Sequence, residues 1–311
     1  MTRSSNQDAY CAILAPNAPS GVDALLAVAD GMGGHQAGEV ASTMAIQGLV
    51  QRLSNQGPGE ESPTPGDRHA ALLSEVIQQV NAEVHQAASQ PETRGMGSTL
   101  TVALLAGSSL AIGHVGDSRA YLLRNGQLQQ LTRDHSWVAE EVARGALTPE
   151  EARTHRRRNL VTRAIGTSPQ ITVDVIALDM EVGDTLLLCS DGLHSLVVDE
   201  EIAGILTEQS PSSAAQTLVD RANALGGKDN ITVVIARVER LGNGATTASG
   251  RRDIDKAKTV ATPGRKGVPK VDGGGLVLRI VLLPFRVLIW MLRVLGRTSW
   301  ATLRFFFGRQ R

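Results

Sequence analysis

The first 250 residues of this 311-residue chain contain no phenylalanine, because all four phenylalanines and two of the three tryptophans lie beyond residue 284. This shortage does not exclude a folded domain, since 42% of the sequence is hydrophobic and a chain of this length can bury a large core. The uneven distribution of aromatic residues instead indicates that two different pieces are joined in one polypeptide.

Cysteine is scarce as well. Cys11 and Cys189 are the only cysteines, and two isolated cysteines provide neither a disulfide framework nor a C-x-x-C site. We interpret them as small buried hydrophobic residues in a reducing compartment. The first ten residues, MTRSSNQDAY, lack the apolar run of a secretory signal. Residues 1–250 are therefore predicted to be cytoplasmic.

The formal net charge of the whole chain is zero, but the first 250 residues are acidic and the remainder is basic. From Arg251 onward there are 14 Lys and Arg against three Asp, which leaves 17 basic and 28 acidic residues before it, a net charge of −11. Residues 241–274 are rich in Gly, Thr and Lys, a composition typical of a flexible linker. The predicted organisation is a domain over 1–240, a linker over 241–274 and a tail over 275–311.

Short apolar stretches separated by turns dominate the domain. Asn125-Gly126 between two apolar stretches predicts a tight hairpin, because a type I′ turn needs two positive φ angles. Successive hairpins imply antiparallel strands, and helical periodicities come in separate blocks, which favours an α+β architecture. The predicted strands are 24–29, 98–105, 110–115, 119–123, 171–178, 185–190 and 231–238. Three helices are predicted: one that begins after Gly38, one over 69–88 and one over 212–225.

Four aspartates stand beside glycine or asparagine where apolar stretches begin or end. One such aspartate usually forms an Asx turn or a helix N-cap, but four in a sandwich can converge at one rim. Clustered carboxylates raise one another's pKa unless cations compensate, and oxygen-only sites suit Mg²⁺ or Mn²⁺. The seven histidines are scattered, which argues against zinc. The four aspartates are Asp30, Asp117, Asp191 and Asp229.

Seven sequence blocks occur in order across residues 3–238. They are RSSNQD (3–8), ADGMGGHQAGEVAS (29–42), GMGSTLT (95–101), VGDSRAYL (115–122), LTRDHS (131–136), SDGL (190–193) and GGKDNITVV (226–234). In this order they resemble the bacterial type 2C (PPM) family of metal-dependent serine/threonine protein phosphatases. The resemblance implies an antiparallel β-sandwich flanked by helices on both faces, a dinuclear metal centre at one end, and a mobile flap at about residues 135–170.

The resemblance also implies metal ligands. Asp30 would bridge two Mg²⁺ or Mn²⁺ ions, because a carboxylate on a rigid strand can hold both at the short separation that two-metal hydrolysis requires. Asp191 and Asp229 would complete the shell of the first ion. The carbonyl oxygen of Gly31 would bind the second ion.

Three further positions match the family. Asp8 would hold metal-bound waters in place, and Asp117, together with Asp191, matches a weaker site for a third ion in bacterial relatives. Arg3 would grip the substrate phosphate, because a guanidinium group can bind two phosphate oxygens at once. The implied reaction is hydrolysis of phosphoserine or phosphothreonine by a metal-activated water, without a covalent enzyme intermediate.

The chain departs from the family pattern at its start and at two pocket positions. Met32 stands where many eukaryotic relatives have a histidine proposed as the general acid, so a metal-bound water or another group would protonate the leaving group. Gln7 replaces an acidic residue that helps to hold the waters of the second ion. Relatives also carry a strand before the arginine block, so we expect either a natural start upstream of Met1 or a lost edge strand.

The tail over residues 275–311 is both basic and apolar. Its arginines at positions 279, 286, 293, 297 and 304 would form one stripe on a helix. Its unbroken apolar stretches are too short for a bilayer span of about 20 residues, and Pro284 is expected to kink or divide the helix. We predict an amphipathic helix on an anionic membrane surface, with a partner protein as the alternative and nucleic acid as the weakest option.

Together these patterns predict a cytoplasmic protein phosphatase, peripheral on the inner face of the cell membrane, that opposes a Ser/Thr kinase. Two alternatives stay open. A pseudophosphatase would only bind phosphoproteins, and the intact set of Asp30, Asp191 and Asp229 argues against it. A phosphatase of small phosphorylated metabolites would have a deep enclosed pocket.

Overall fold

Two antiparallel sheets form the centre of the computed structural model, which describes residues 6–34, 36–55, 65–241 and 277–282. The strands are β1 (Asp8–Leu14), β2 (Ala24–Met32), β3 (Gly97–Ser98), β4 (Leu100–Ala106), β5 (Ser109–Val115), β6 (Arg119–Arg124), β7 (Gln127–Gln130), β8 (Asp174–Asp179), β9 (Thr185–Cys189), β10 (Val233–Arg240) and β11 (Val277–Leu282). The first sheet has the order β1-β2-β4-β5-β8, with β3 paired to β2. The second has the order β11-β10-β9-β6-β7.

Helices cover the outer face of each sheet. The α-helices of the described residues are α1 (Gln36–Asn55), α2 (Pro65–Ala87), α3 (Trp137–Ala143), α4 (Pro149–Thr154), α5 (Asp191–His194), α6 (Asp199–Glu208) and α7 (Pro211–Ala224), of which α3 and α4 lie in the segment predicted as a flap. Buried side chains of α1 and α2 pack on the first sheet, and those of α6 and α7 pack on the second. A third cluster of apolar side chains fills the space between the sheets.

Strand β2 shows how the sequence specifies this layering. Leu25 and Ala27 face the helices α1 and α2, whereas Leu26 and Val28 face the second sheet. Both faces are therefore buried, and the strand reads as a continuous apolar run rather than an alternating one. The predicted sandwich with helices on both faces is confirmed.

Local predictions succeed where the sequence signal is strong. Each predicted strand has a counterpart, and Asn125 and Gly126 have the positive φ angles of 52° and 77° expected for the hairpin turn. The edge strand β1, which the sequence analysis did not predict, is half-buried along its whole length. In α1, the buried side includes Ala41 and Ala45, whereas Val40 is 38% exposed.

The segment predicted as a flap contains α3 and α4 and is anchored at its base. Ser136 and Val161 form an antiparallel bridge, and Ser98 forms another with Ile165 beside β3. Thr148 caps α4 through a reciprocal capping box with Glu151. The Ser98–Ile165 bridge joins the carboxyl-side end of the segment to β3, whereas the other two contacts hold the segment together internally.

The tail departs from prediction where the structure describes it. Residues Val277–Leu282 form a strand antiparallel to β10, so this part of the expected helix is extended instead. The linker predicted over 241–274 lies outside the described residues except for residue 241, and so do the remaining tail residues. Within the described ranges, none of the helices combines the length and the apolar character that a bilayer crossing requires.

Candidate active site

Asp30 lies inside β2, not beyond its end as the sequence suggested, and its backbone is fixed on both sides. Its N–H donates a hydrogen bond to Thr99 Oγ1 at 2.8 Å, and its carbonyl oxygen accepts one from the Thr99 N–H at 2.8 Å. Ser98 Oγ also donates to the Asp30 carbonyl at 3.0 Å. Ser98 and Thr99, which begin the predicted strand 98–105, therefore hold Asp30 in place.

Four predicted acidic ligands line one pocket of about 370 Å³. The backbone around Asp30 contributes Gly31 and Met32 to the same lining, and the flap contributes Asn159 and Val161. One acid lies in β2, one between β5 and β6, one at the start of α5 and one in the loop before β10, so only the tertiary fold brings them together. They are Asp30, Asp117, Asp191 and Asp229.

Asp8 lies opposite Asp30 in the β1–β2 register and connects three parts of the chain. Its Oδ2 accepts hydrogen bonds from Ser190 Oγ at 2.8 Å and from Thr232 Oγ1 at 2.7 Å. Its Oδ1 is buried without a hydrogen-bond partner among the described residues. A buried carboxylate oxygen in this condition costs free energy unless another group, such as a cation or its water, compensates.

Burial and electrostatic repulsion raise the pKa values of Asp8, Asp30 and Asp117. Burial raises the pKa of Asp30 well above its usual range, and Asp8, Asp191, Asp117 and Asp229 raise it further. Burial also brings the pKa of Asp8 to about 6 against the hydrogen bonds that lower it. The pKa of Asp117 is raised to about 8, mainly by burial and then by the charge of Asp191. The pocket concentrates negative charge that nearby positive charge would stabilise.

The chemistry of this pocket fits hard divalent cations. All the candidate side-chain donors are oxygens, as Mg²⁺ and Mn²⁺ prefer. No three His, Cys, Asp or Glu side chains in the described ranges are close enough together to surround one ion. The pocket is thus an acid-lined space rather than a closed cage. This is the arrangement used by Mg²⁺, which binds one or two carboxylates and keeps several waters.

Close backbone packing beside two of the acids requires glycine. A Cβ on Gly31 would lie 2.0 Å from the carbonyl oxygen of Gly38 in α1, and a Cβ on Gly192 would lie 2.0 Å from that of Asn230. The glycine beside Asp30 therefore lets β2 meet the start of α1. The glycine beside Asp191 lets α5 meet the segment that carries Asp229.

Two histidines without a predicted role support Asp117. His194, at the end of α5, donates from Nε2 to the Asp117 carbonyl oxygen at 2.9 Å. His135 and Gly116 exchange two hydrogen bonds: the His135 N–H donates to the Gly116 oxygen at 2.7 Å, and the Gly116 N–H donates to His135 Nδ1 at 3.0 Å. These histidines belong to the SDGLH and TRDHS segments. The residues to which they hydrogen-bond lie 77 and 19 positions away in sequence, so a local pattern does not reveal the contacts.

The positions that depart from the family pattern also belong to the site. Gln7 and Met32 line the pocket, and the Gln7 N–H donates to Asn230 Oδ1 at 2.9 Å. Gln7 thereby links β1 to the segment that carries Asp229. Arg3, the predicted phosphate-binding residue, lies outside the described residues.

An acid-lined pocket at one end of a β-sandwich with helices on both faces defines a class of metal-dependent phosphohydrolases. The family model for protein phosphatase 2C matches residues 2–226, and the chain belongs to this family. It is therefore an enzyme, a protein serine/threonine phosphatase of the kind that depends on Mg²⁺ or Mn²⁺.

Bacterial phosphatases of known name and structure are similar to this chain. The serine/threonine phosphatase stp of Listeria welshimeri is 43% identical over 218 residues, which is 70% of this chain and 84% of the relative. PstP of Mycobacterium tuberculosis is 43% identical over 222 residues, which is 71% of this chain but 42% of PstP.

Solved structures agree with this assignment. The crystal structure of Stp1 from Staphylococcus aureus superposes with a TM-score of 0.70 at 34% identity, covering 77% of this chain and 92% of Stp1. The PstP catalytic domain in complex with two manganese ions superposes with a TM-score of 0.63 at 36% identity, covering 76% of this chain and 92% of that domain.

Proposed function

We propose that this phosphatase hydrolyses phosphoserine and phosphothreonine in proteins phosphorylated by a Ser/Thr kinase, which it opposes, and that its acid-lined pocket is the catalytic site. The observation that carries the proposal is the gathering of acids from separate parts of the chain in one pocket. Electrostatic repulsion between clustered carboxylates is retained in a folded protein chiefly where cation binding or catalysis depends on those carboxylates.

The proposed ligands follow from the positions of the acids. Asp30, on the rigid strand β2, would bind both of two divalent ions. Asp191 and Asp229 would move closer to Asp30 to share the first ion, because in the described residues these side chains are not grouped around one position. Gly31 would offer its carbonyl oxygen to the second, and Asp117 would hold a third, weaker ion. Bound ions of this kind lower the pKa of water and stabilise charge on a phosphoryl group in the transition state.

Other residues orient the site. The paired hydrogen bonds with Thr99 prevent Asp30 from turning away from the pocket, and Asp8 is placed by Ser190 and Thr232 to hold waters between the two sheets. Arg3 is proposed to bind the substrate phosphate. Because the supporting residues belong to packed strands, the site is held in place before substrate arrives.

Phosphate release from a phosphothreonine peptide tests the metal dependence. We expect activity with Mn²⁺ or Mg²⁺, loss of at least 99% of it after chelation, and recovery when either ion is restored. Asp229→Asn should lower kcat/KM by about a hundredfold or more, because the amide loses the negative charge that attracts the cation. Activity that persisted in chelator and in this variant would contradict the proposed site.

We also propose that the tail holds the enzyme at the inner surface of the cell membrane. Since Val277–Leu282 is a strand, the proposed helix begins after it and keeps four arginines of the stripe. Each basic residue near an anionic surface contributes about 1 kcal/mol to binding. The supporting observation is therefore the sequence pattern beyond residue 282, with positions 286, 293, 297 and 304 on one side.

Sedimentation with lipid vesicles tests the tail. Full-length protein should bind vesicles of phosphatidylglycerol and phosphatidylcholine more strongly than neutral vesicles. Replacing all four stripe arginines by glutamine should weaken binding to the anionic vesicles by about a hundredfold or more. Equal binding of the two proteins would contradict the membrane proposal, and phosphatase activity in both would show that each is folded.

A further inference from the structure

Three adjacent arginines in the flap segment, Arg156, Arg157 and Arg158, are exposed to solvent. We call them the arginine turn. In the part of the chain that the structure describes, none of them forms a salt bridge. Two other arginines of the flap segment differ, because Arg144 pairs with Glu141 and Arg163 pairs with Asp174. The arginine turn is therefore positive charge that the described fold does not neutralise.

The arginine turn is held in a defined conformation. The Arg158 N–H donates to the His155 carbonyl oxygen at 3.1 Å, and the Leu160 N–H donates to that of Arg157 at 3.0 Å. The His155 ring stacks on Trp137 with centroids 4.9 Å apart, and the Arg157 guanidinium carbon lies 5.0 Å from the centroid of the same ring. Arg157 thus anchors the turn through a cation–π contact, which leaves Arg156 and Arg158 to meet a ligand.

The turn lies next to the entrance of the acid-lined pocket. Asn159, which directly follows Arg158, lines the pocket, as does Val161. Leu160 between them is 49% exposed, and its carbonyl oxygen accepts a hydrogen bond from the Trp137 N–H at 2.8 Å. A polypeptide with a phosphorylated residue in the pocket would pass this edge of the flap.

We propose that the arginine turn recognises acidic residues that flank the phosphorylated Ser or Thr of a protein substrate. This inference rests on the proposed function of the pocket. The first 250 residues carry a net charge of −11, so an acidic segment is repelled by most of the domain and attracted at this turn. Complementary charge at one edge selects among substrates and speeds their encounter with the enzyme.

Matched phosphothreonine peptides test the proposal. Two pairs of peptides are compared. In the first pair, the two residues on the amino side of the phosphothreonine are Glu in one peptide and Gln in the other. In the second pair, the two residues on its carboxyl side differ in the same way. The wild-type enzyme should prefer a Glu peptide over its Gln partner, and Arg156→Gln/Arg158→Gln should reduce this preference by roughly three- to thirtyfold, mainly through KM. The preference should also fall as salt rises.

A second double variant controls for lost charge. Arg221→Gln/Arg240→Gln removes two positive charges from α7 and from the end of β10, outside the residues that line the pocket, and should keep the preference. An equal loss on Glu and Gln peptides, or an unchanged preference in the flap variant, would overturn the proposal. Weaker binding of the flap variant to anionic vesicles with an unchanged peptide preference would also overturn it. Hydrolysis of p-nitrophenyl phosphate, which has no flanking residues, is measured with each variant. If the proposed function of the pocket were wrong, activity would be absent on this substrate as well as on the peptides.

Discussion

Replacement of Asp30 by asparagine is expected to lower kcat/KM for a phosphothreonine peptide by about a thousandfold or more. The side chain keeps its size and one oxygen, but it loses the negative charge that attracts cations to the centre of the pocket. Since the hydrogen bonds to Thr99 use only the Asp30 backbone, the strand should keep its position. Steady-state kinetics with saturating Mn²⁺ measure the loss.

The same substitution should make the metal-free protein more stable. Burial and the neighbouring carboxylates raise the pKa of Asp30 in the folded state. At neutral pH the carboxyl group of Asp30 is ionised in the unfolded chain, whereas the folded state disfavours the ionised form. The Asp30 charge therefore lowers the free energy of unfolding at this pH. Removing the charge should raise the unfolding midpoint in chelator by about 2–4 °C for each kcal/mol gained, while stabilisation by added Mn²⁺ should shrink.

Asp220→Asn provides the matched control. Asp220 is exposed on α7, where its Oδ1 accepts a hydrogen bond from Gln216 Nε2 at 2.8 Å. The control should change neither the activity nor the response to Mn²⁺. An Asp30→Asn enzyme with activity within tenfold of wild type, or one that kept the full stabilisation by Mn²⁺, would show that Asp30 is not the central ligand.

Replacement of Gly31 by alanine should lower the free energy of unfolding by about 3 kcal/mol and reduce activity sharply. The added Cβ would lie 2.0 Å from the Gly38 carbonyl oxygen and 2.7 Å from that of Gln7. Both are backbone atoms, so β2 and α1 must separate, and overpacking of this kind costs about 1–3 kcal/mol or more. The shift would also move the backbone next to Asp30.

Gly34→Ala in the same DGMGG motif is the control for this prediction. Apart from its neighbours in the chain, no atom of the described residues lies within 4 Å of the position that its Cβ would occupy. It should therefore be neutral or stabilise the protein by about 0.4–1 kcal/mol through the unfolded state. Denaturant unfolding and kcat/KM distinguish the pair. Equal midpoints for the two variants would show that the close approach of β2 and α1 is not required.

Strong local patterns explain what could be predicted of the fold. The Asn125-Gly126 hairpin follows from backbone conformation alone, and the doubly buried β2 reads as an apolar run. β1 was not predicted although its sequence DAYCAIL also contains an apolar run, because a short apolar run alone does not distinguish a strand from a segment of buried helix. The short helices α3 and α5 have few residues in which a helical period could be detected. The strand Val277–Leu282 contradicts the predicted helix because pairing with β10, distant in sequence, determines it.

The acids of the site could be identified one by one, but their supports could not. Asp30 and Asp191 stand beside glycines whose role is visible in the sequence. Thr99, His135 and His194 act through hydrogen bonds to residues that are 69, 19 and 77 positions away, and no local pattern reports such partners. The predicted roles of Arg3 and of the tail beyond residue 282 stay predictions.

The sequence by itself determined the chemical groups available to this protein: carboxylates without soft ligands, glycines beside them, and a basic tail separated from an acidic domain. These properties depend on residue identity and on neighbours within a few positions. Only the tertiary structure decided that Asp8, Asp30 and Asp117 are buried together with raised pKa values, and that the arginine turn lies at the edge of their pocket. Burial and electrostatic repulsion depend on distances in space, which packing of two sheets and their helices establishes between residues far apart in the chain.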